Sequence, residues 1–123
     1  MKIRYELYQI QPDSDCPFLF MGLDWLKRKR YQAEPIWYDR VDADVFETRV
    51  KVCDLRGYVL EALCQNYNPP VFASRIGRPL RSMSVSDVVL LEIGGEVSAW
   101  YCDSVGFRRL YGLGWEDVWK TAE

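Results

Sequence analysis

The chain contains no histidine. That absence excludes a Ser-His-Asp or Cys-His nucleophile pair. It excludes His-ligated zinc and iron, and it removes the commonest general acid–base near neutral pH. Chemistry built on carboxylates, Lys, Tyr or a bound magnesium ion survives the test. Cysteine is sparse: Cys16, Cys53, Cys64 and Cys102, with no Cys-x-x-Cys pair among them. In a reducing compartment these read as core thiols rather than as a four-thiolate zinc site. No cofactor and no metal is expected. No apolar run approaches the roughly 20 residues that cross a bilayer. The first residues, Met1-Lys2-Ile3-Arg4-Tyr5-Glu6, mix both charges and lack the apolar stretch of a signal peptide. No membrane partner is expected, and the expected location is the cytoplasm. A strong charge of one sign is also missing. Sixteen Lys and Arg stand against 18 Asp and Glu, for a net charge of −2. Attraction of the whole molecule to nucleic acid is therefore not expected, and any such binding needs a local basic patch.

What is present is core-forming material. The 123 residues are 49% apolar and 15% aromatic, which suits one domain spanning 1–123 that folds without staples. Repeats, low-complexity tracts and linkers are absent. Lys2 to Leu7 alternates polar and apolar residues, predicting a strand with Ile3, Tyr5 and Leu7 inward. Gln11-Pro12-Asp13-Ser14-Asp15 reads as a turn. Leu23 to Arg30 reads as a short helix with Leu23 and Leu26 inward. It ends in Lys27-Arg28-Lys29-Arg30, cations that complement a helix C-terminus. Trp37 to Val45 reads as a second strand, and Thr48, Val50 and Val52 alternate as a third. Asp54 can cap a helix whose inner face is Leu55, Val59, Ala62, Leu63 and Tyr67, stopped by Asn68-Pro69-Pro70. A loop with Gly77 and Pro79 follows, from Val71 to Arg81.

The clearest element is a β-hairpin. Val88 to Ile93 and Val97 to Asp103 flank Gly94-Gly95, a pair suited to the positive φ angles of a two-residue turn. That turn sets Ile93 opposite Glu96, Leu91 opposite Ser98 and Val89 opposite Trp100. It also sets Asp87 opposite Cys102 and Ser86 opposite Asp103. Both faces of the hairpin are largely apolar, which predicts a place in the middle of a covered sheet. Gly106-Phe107 is expected to turn the chain away. Gly112-Leu113-Gly114 then leads into a terminal helix bearing Trp115, Val118 and Trp119. The fold class is α+β: an antiparallel or mixed sheet of about four or five strands around this hairpin, with two or three helices packed on it.

Ser82-Met83-Ser84-Val85-Ser86-Asp87-Val88-Val89 and Tyr101-Cys102-Asp103-Ser104-Val105-Gly106-Phe107 resemble the paired motifs of the YodL-like family of bacterial and phage domains. Tyr5-Glu6-Leu7-Tyr8-Gln9 is similar to that family's first strand, and the stretch from Val59 to Asn68 to its helix ending in an aromatic-Asn pair. The likeness spans most of the chain, with the specificity in the hairpin motifs. One departure is Leu80-Arg81, where members often carry Gly-His or Gly-Arg. The resemblance implies a module found on plasmids, conjugative elements and phages. It implies no catalytic residues.

Four groups of residues are candidate sites, each with a plainer reading beside it. Ser84, Ser86, Asp87, Asp103 and Ser104 form a polar cluster at one sheet end. Its two carboxylates suit magnesium, and its short side chains equally suit capping of strand ends. Lys27, Arg28, Lys29 and Arg30 can meet phosphates or an acidic protein groove, or simply solvate a helix end. Arg75, Arg78 and Arg81, with Arg108 and Arg109, suit bidentate contacts to carboxylate or phosphate if they share a face. Trp115 and Trp119, four apart, dock a helix on the domain itself or anchor a partner. Three functions follow. The first is a non-enzymatic protein-binding accessory module of a mobile genetic element, docking on a host or element-encoded protein; its sharper form is a counter-defence inhibitor of the anti-CRISPR type. The second is a nucleic-acid-binding accessory protein using the Arg-rich loop. The third is a magnesium-assisted enzyme using Asp87 and Asp103. Oligomeric state is not legible in the sequence.

Overall fold

The computed structural model describes residues 2–47, 56–57, 59–61 and 83–121, with the side chains of Phe46 and of residues 119–121 outside that set. Five antiparallel strands form one sheet: β1 (Lys2–Gln9), β2 (Asp39–Glu47), β3 (Val88–Ile93), β4 (Glu96–Cys102) and β5 (Phe107–Leu110). Their order is β2-β1-β3-β4-β5, so the hairpin β3–β4 sits inside the sheet. Helix α1 (Leu23–Lys29), a 3-10 turn (Pro35–Trp37) and helix α2 (Trp115–Thr121) complete the labelled elements. Positions 56–57 and 59–61 are also helical.

The alternation read in the sequence decides which residues share a face. Ile3, Tyr5 and Leu7 of β1 lie beside Ile93, Leu91 and Val89 of β3; all but the partly buried Ile93 belong to one buried cluster with Val41, Val59 and Leu60. Tyr8, Val88, Leu90, Ala99 and Tyr101 project to the other face. There they pack with Phe18, Leu26, Tyr38, Leu110 and Trp115. Helical residues therefore cover both faces, and β3 is apolar on both sides because neither meets water. The hairpin pairs Ile93 with Glu96, Leu91 with Ser98 and Val89 with Trp100, as the Gly-Gly turn requires. Gly94 and Gly95 hold φ of 59° and 81°, the left-handed values of that turn.

Three expectations are corrected. The second strand starts at Asp39, because Pro35 opens a 3-10 turn that takes Trp37. The chain does not leave the sheet after Gly106. With Gly106 at φ 68° and the Asp103 amide donating to the Gly106 carbonyl at 2.9 Å, it reverses at once and adds β5. Ser86 does not lie opposite Asp103. Its amide donates to the Cys102 carbonyl at 2.9 Å, while the Cys102 amide donates to the Asp87 carbonyl at 2.7 Å. Two residues thus oppose one, a β-bulge whose first residue sits at φ 86°. The third strand over Thr48, Val50 and Val52 lies outside the described residues, as do Asp54, Leu55, Ala62, Leu63 and Tyr67 of the helix.

Candidate binding groove

The polar cluster positions the segment that enters α1. Ser84 to Asp87 is a tight turn, closed by the Asp87 amide on the Ser84 carbonyl at 3.1 Å. The Asp87 carboxylate is fully buried and accepts from the Ser84 amide at 2.8 Å and from Gln9 Nε2 at 3.0 Å. Three bonds then run from this end of the hairpin to the segment entering α1. Ser86 Oγ accepts from the Phe20 amide at 3.0 Å, and the Tyr101 hydroxyl donates to the Met21 carbonyl at 2.5 Å. Asp103 Oδ1 accepts from the Leu23 amide at 3.2 Å. Leu23 is the first helical residue, and its N-cap, Gly22, offers no side chain, so Asp103 does the capping from across the fold. A Cβ on Gly22 would stand 2.8 Å from Asp103 Oδ1, so a side chain there would push this carboxylate away from the Leu23 amide. Ser104 is exposed, its amide donating to Asp103 Oδ1 at 2.8 Å.

These groups have tuned protonation. Burial first, then the nearby Asp103 charge, holds the Tyr101 phenol well above its ordinary range, so it remains a donor. Burial followed by Glu6 does the same for Tyr8, whose hydroxyl donates to Glu6 Oε1 at 3.1 Å. Glu6 is itself buried, and Arg40 reaches its other oxygen at 2.6 Å; this bond holds Arg40 protonated. Burial raises the Cys16 thiol, which makes it a poor nucleophile. Among the described residues, no group of three or more Cys, Asp or Glu side chains is arranged to hold a metal ion.

The α1 segment so held forms one wall of a groove of about 590 Å³. Lys27 and Arg30 line it from the end of α1, and Arg108 and Arg109 line it from β5. Spacing explains the first pair, since residues three apart on a helix share a face. Sheet order explains the second, since β5 is an edge strand and its residues share this groove with those of α1. Leu23, Leu26, Leu110 and Leu113 form an apolar floor, and Tyr31 and Tyr111 flank it, 40% and 72% exposed. None of the groove's lining residues is acidic. Arg108 contacts Asp103 through Nε at 3.2 Å, and its side chain is 57% exposed. Arg109 lies 5.1 Å over the Tyr111 ring and 3.7 Å from Glu96. The size fits a short segment of a ligand rather than a flat surface.

The structure thus joins two candidate groups that lie far apart in sequence. Arg28 and Lys29 are exposed on α1 but do not line the groove; Lys29 lies 5.9 Å from the Trp25 ring centre. Arg75, Arg78 and Arg81 lie outside the described residues. Trp115 is 1% exposed, donates Nε1–H to the Ala33 carbonyl at 2.8 Å, and meets Tyr8 and Tyr38 edge-on at 5.2 Å. It fastens α2 to the domain, and a partner could reach it only by unpacking that helix. Trp119 falls on α2, with its side chain outside the described set. The groove tyrosines were not foreseen. Their adjacency to cations, Arg30-Tyr31 and Arg109-Leu110-Tyr111, was the available signal.

Fold and site together define a small α+β domain whose paired hairpin motifs lock a helix beside a sheet edge and leave a cationic groove between them. The family model described as YodL-like domain matches residues 4–112, and the chain belongs to that family. No curated protein and no solved structure matches it. No helix among the described residues is long and apolar enough to cross a membrane.

Proposed function

We propose that this chain is a non-enzymatic, protein-binding accessory module of a mobile genetic element, acting in the cytoplasm, and that it receives an acidic segment of its partner in the groove. One observation carries the reading: four cations from two distant segments line one apolar-floored groove with no carboxylate among its lining residues. Arg offers paired donors to a carboxylate, and Tyr offers rigid contact area at low entropic cost. A counter-defence role is one form of this function. The groove's charge is opposite to that of a DNA mimic, so such a role would act through an acidic surface on the target protein.

A second reading takes the same cations with exposed Tyr31 and Tyr111 as a platform for single-stranded nucleic acid, whose bases stack on aromatic rings. A tagged pull-down from host lysate, with and without nuclease, separates the two. The wild type is compared with Lys27→Glu/Arg30→Glu, which alters exposed residues only. A stoichiometric protein that survives nuclease and is lost with the variant supports the protein-binding reading. A partner lost on nuclease treatment moves the nucleic-acid reading ahead. A protein retained equally by the variant overturns the groove assignment.

A further inference from the structure

Among the described residues β5 pairs with β4 alone and forms one edge of the sheet they make. The direction of its backbone groups follows from the turn. The Asp103 amide donates to the Gly106 carbonyl, which makes that pair hydrogen-bonded. Along an antiparallel ladder such pairs alternate, so Tyr101–Arg108 and Ala99–Leu110 are hydrogen-bonded as well. The amides and carbonyls of Phe107 and Arg109 then point outward. Arg108, Arg109, Leu110 and Tyr111 follow one another along the groove. Successive residues of a strand face opposite ways, so a groove lined by all of them runs along the strand's edge, not over one face.

We infer that the groove takes its partner as an added strand: an extended acidic protein segment pairs with the outer edge of β5, and the carboxylates on its α1 side meet Lys27, Arg30 and Arg108. This rests on the protein-binding reading above and supplies its mode. Unpaired edge groups are a template for another chain, and an added peptide strand satisfies them. Nucleic acid has no amide backbone to offer that edge. A second copy presenting its own β5 would set Arg108 and Arg109 against the same cations, which disfavours self-pairing. β5 is four residues long, so few backbone bonds form and affinity depends on charge as well.

The test uses the full chain and a short synthetic peptide alternating Glu and Val, with two further peptides N-methylated on alternate residues in opposite phase. Strand addition predicts that one phase weakens binding by roughly tenfold or more and the other leaves it unchanged. It also predicts that Arg109→Pro, which removes the outward amide, binds at least several-fold more weakly than Arg109→Ala, and that the Arg109 amide gains exchange protection when the peptide binds. Proline is tolerated on an edge strand where the amide faces out, so the variant is expected to fold. If the unmodified peptide binds and both methylated phases bind equally well, strand addition is overturned while the groove reading stands. If the unmodified peptide does not bind, both fall.

Discussion

Replacing Asp103 should loosen the segment that builds the groove. Its carboxylate accepts from two backbone amides, Leu23 at 3.2 Å and Ser104 at 2.8 Å, and touches Arg108 at 3.2 Å. A net hydrogen bond contributes about 1 kcal/mol, somewhat more to a charged acceptor. The pair with half-exposed Arg108 contributes little after solvent screening. Asp103→Ala should therefore cost about 2–3 kcal/mol, most of it from the two amides. Asp103→Asn keeps an acceptor for one amide and should cost about 1 kcal/mol. For a domain of this size the alanine variant should melt roughly 8–12 °C lower. Urea unfolding followed by tryptophan fluorescence measures both, with unchanged slope as the sign that only stability moved. An alanine variant within about 0.5 kcal/mol of wild type, the usual scatter of surface substitutions, would refute the view that this motif aspartate caps α1 from across the fold.

Three further outcomes test the same framework. Ser86 combines φ 86° with an acceptor role for the Phe20 amide, so Ser86→Ala should cost about 1–2 kcal/mol, whereas Ser86→Gly, which relieves the backbone, should cost less; urea midpoints rank them. Gly22→Ala should displace the Asp103 carboxylate and cost about 1–2 kcal/mol, with a smaller cost when Asp103 is already Ala, as a double-mutant cycle would show. Tyr8 and Tyr101 are both held above the ordinary phenol value of 10.0. Their contribution is thus fully present below pH 10 and is lost as pH rises above it toward the raised folded values, because the unfolded chain ionises first. Alkaline unfolding curves should show this, and Tyr101→Phe should flatten the dependence.

Local features of the fold were legible in the sequence where a single physical rule governed them. The period-2 pattern at Ile3, Tyr5 and Leu7 marked β1, and Gly94-Gly95 fixed the register of β3 and β4 because a two-residue turn permits only one pairing. Lys27 to Arg30 marked the end of α1. Legibility ended where the local signal was short or misleading. β5 has only four residues, too few for a periodic pattern, and Gly106 looked like an exit rather than a reversal. The bulge at Ser86-Asp87 was hidden because serine occupies a left-handed position where glycine is the usual sign. The groove was the least visible feature. Lys27 and Arg30 meet Arg108 and Arg109 only through sheet order and through the hold of Ser86, Tyr101 and Asp103 on the segment leading into α1. No spacing along the chain encodes that.

Binding of an acidic protein segment in this groove is directly measurable. Its most direct test is an equilibrium titration of wild type with a fluorescent peptide of alternating Glu and Val, alongside Lys27→Glu/Arg30→Glu and a single-stranded oligonucleotide as competitor. Saturable binding that is weakened at least roughly tenfold by the charge reversal, and is not displaced by the oligonucleotide, is the predicted result. No saturable binding, or equal binding by wild type and variant, would contradict the account.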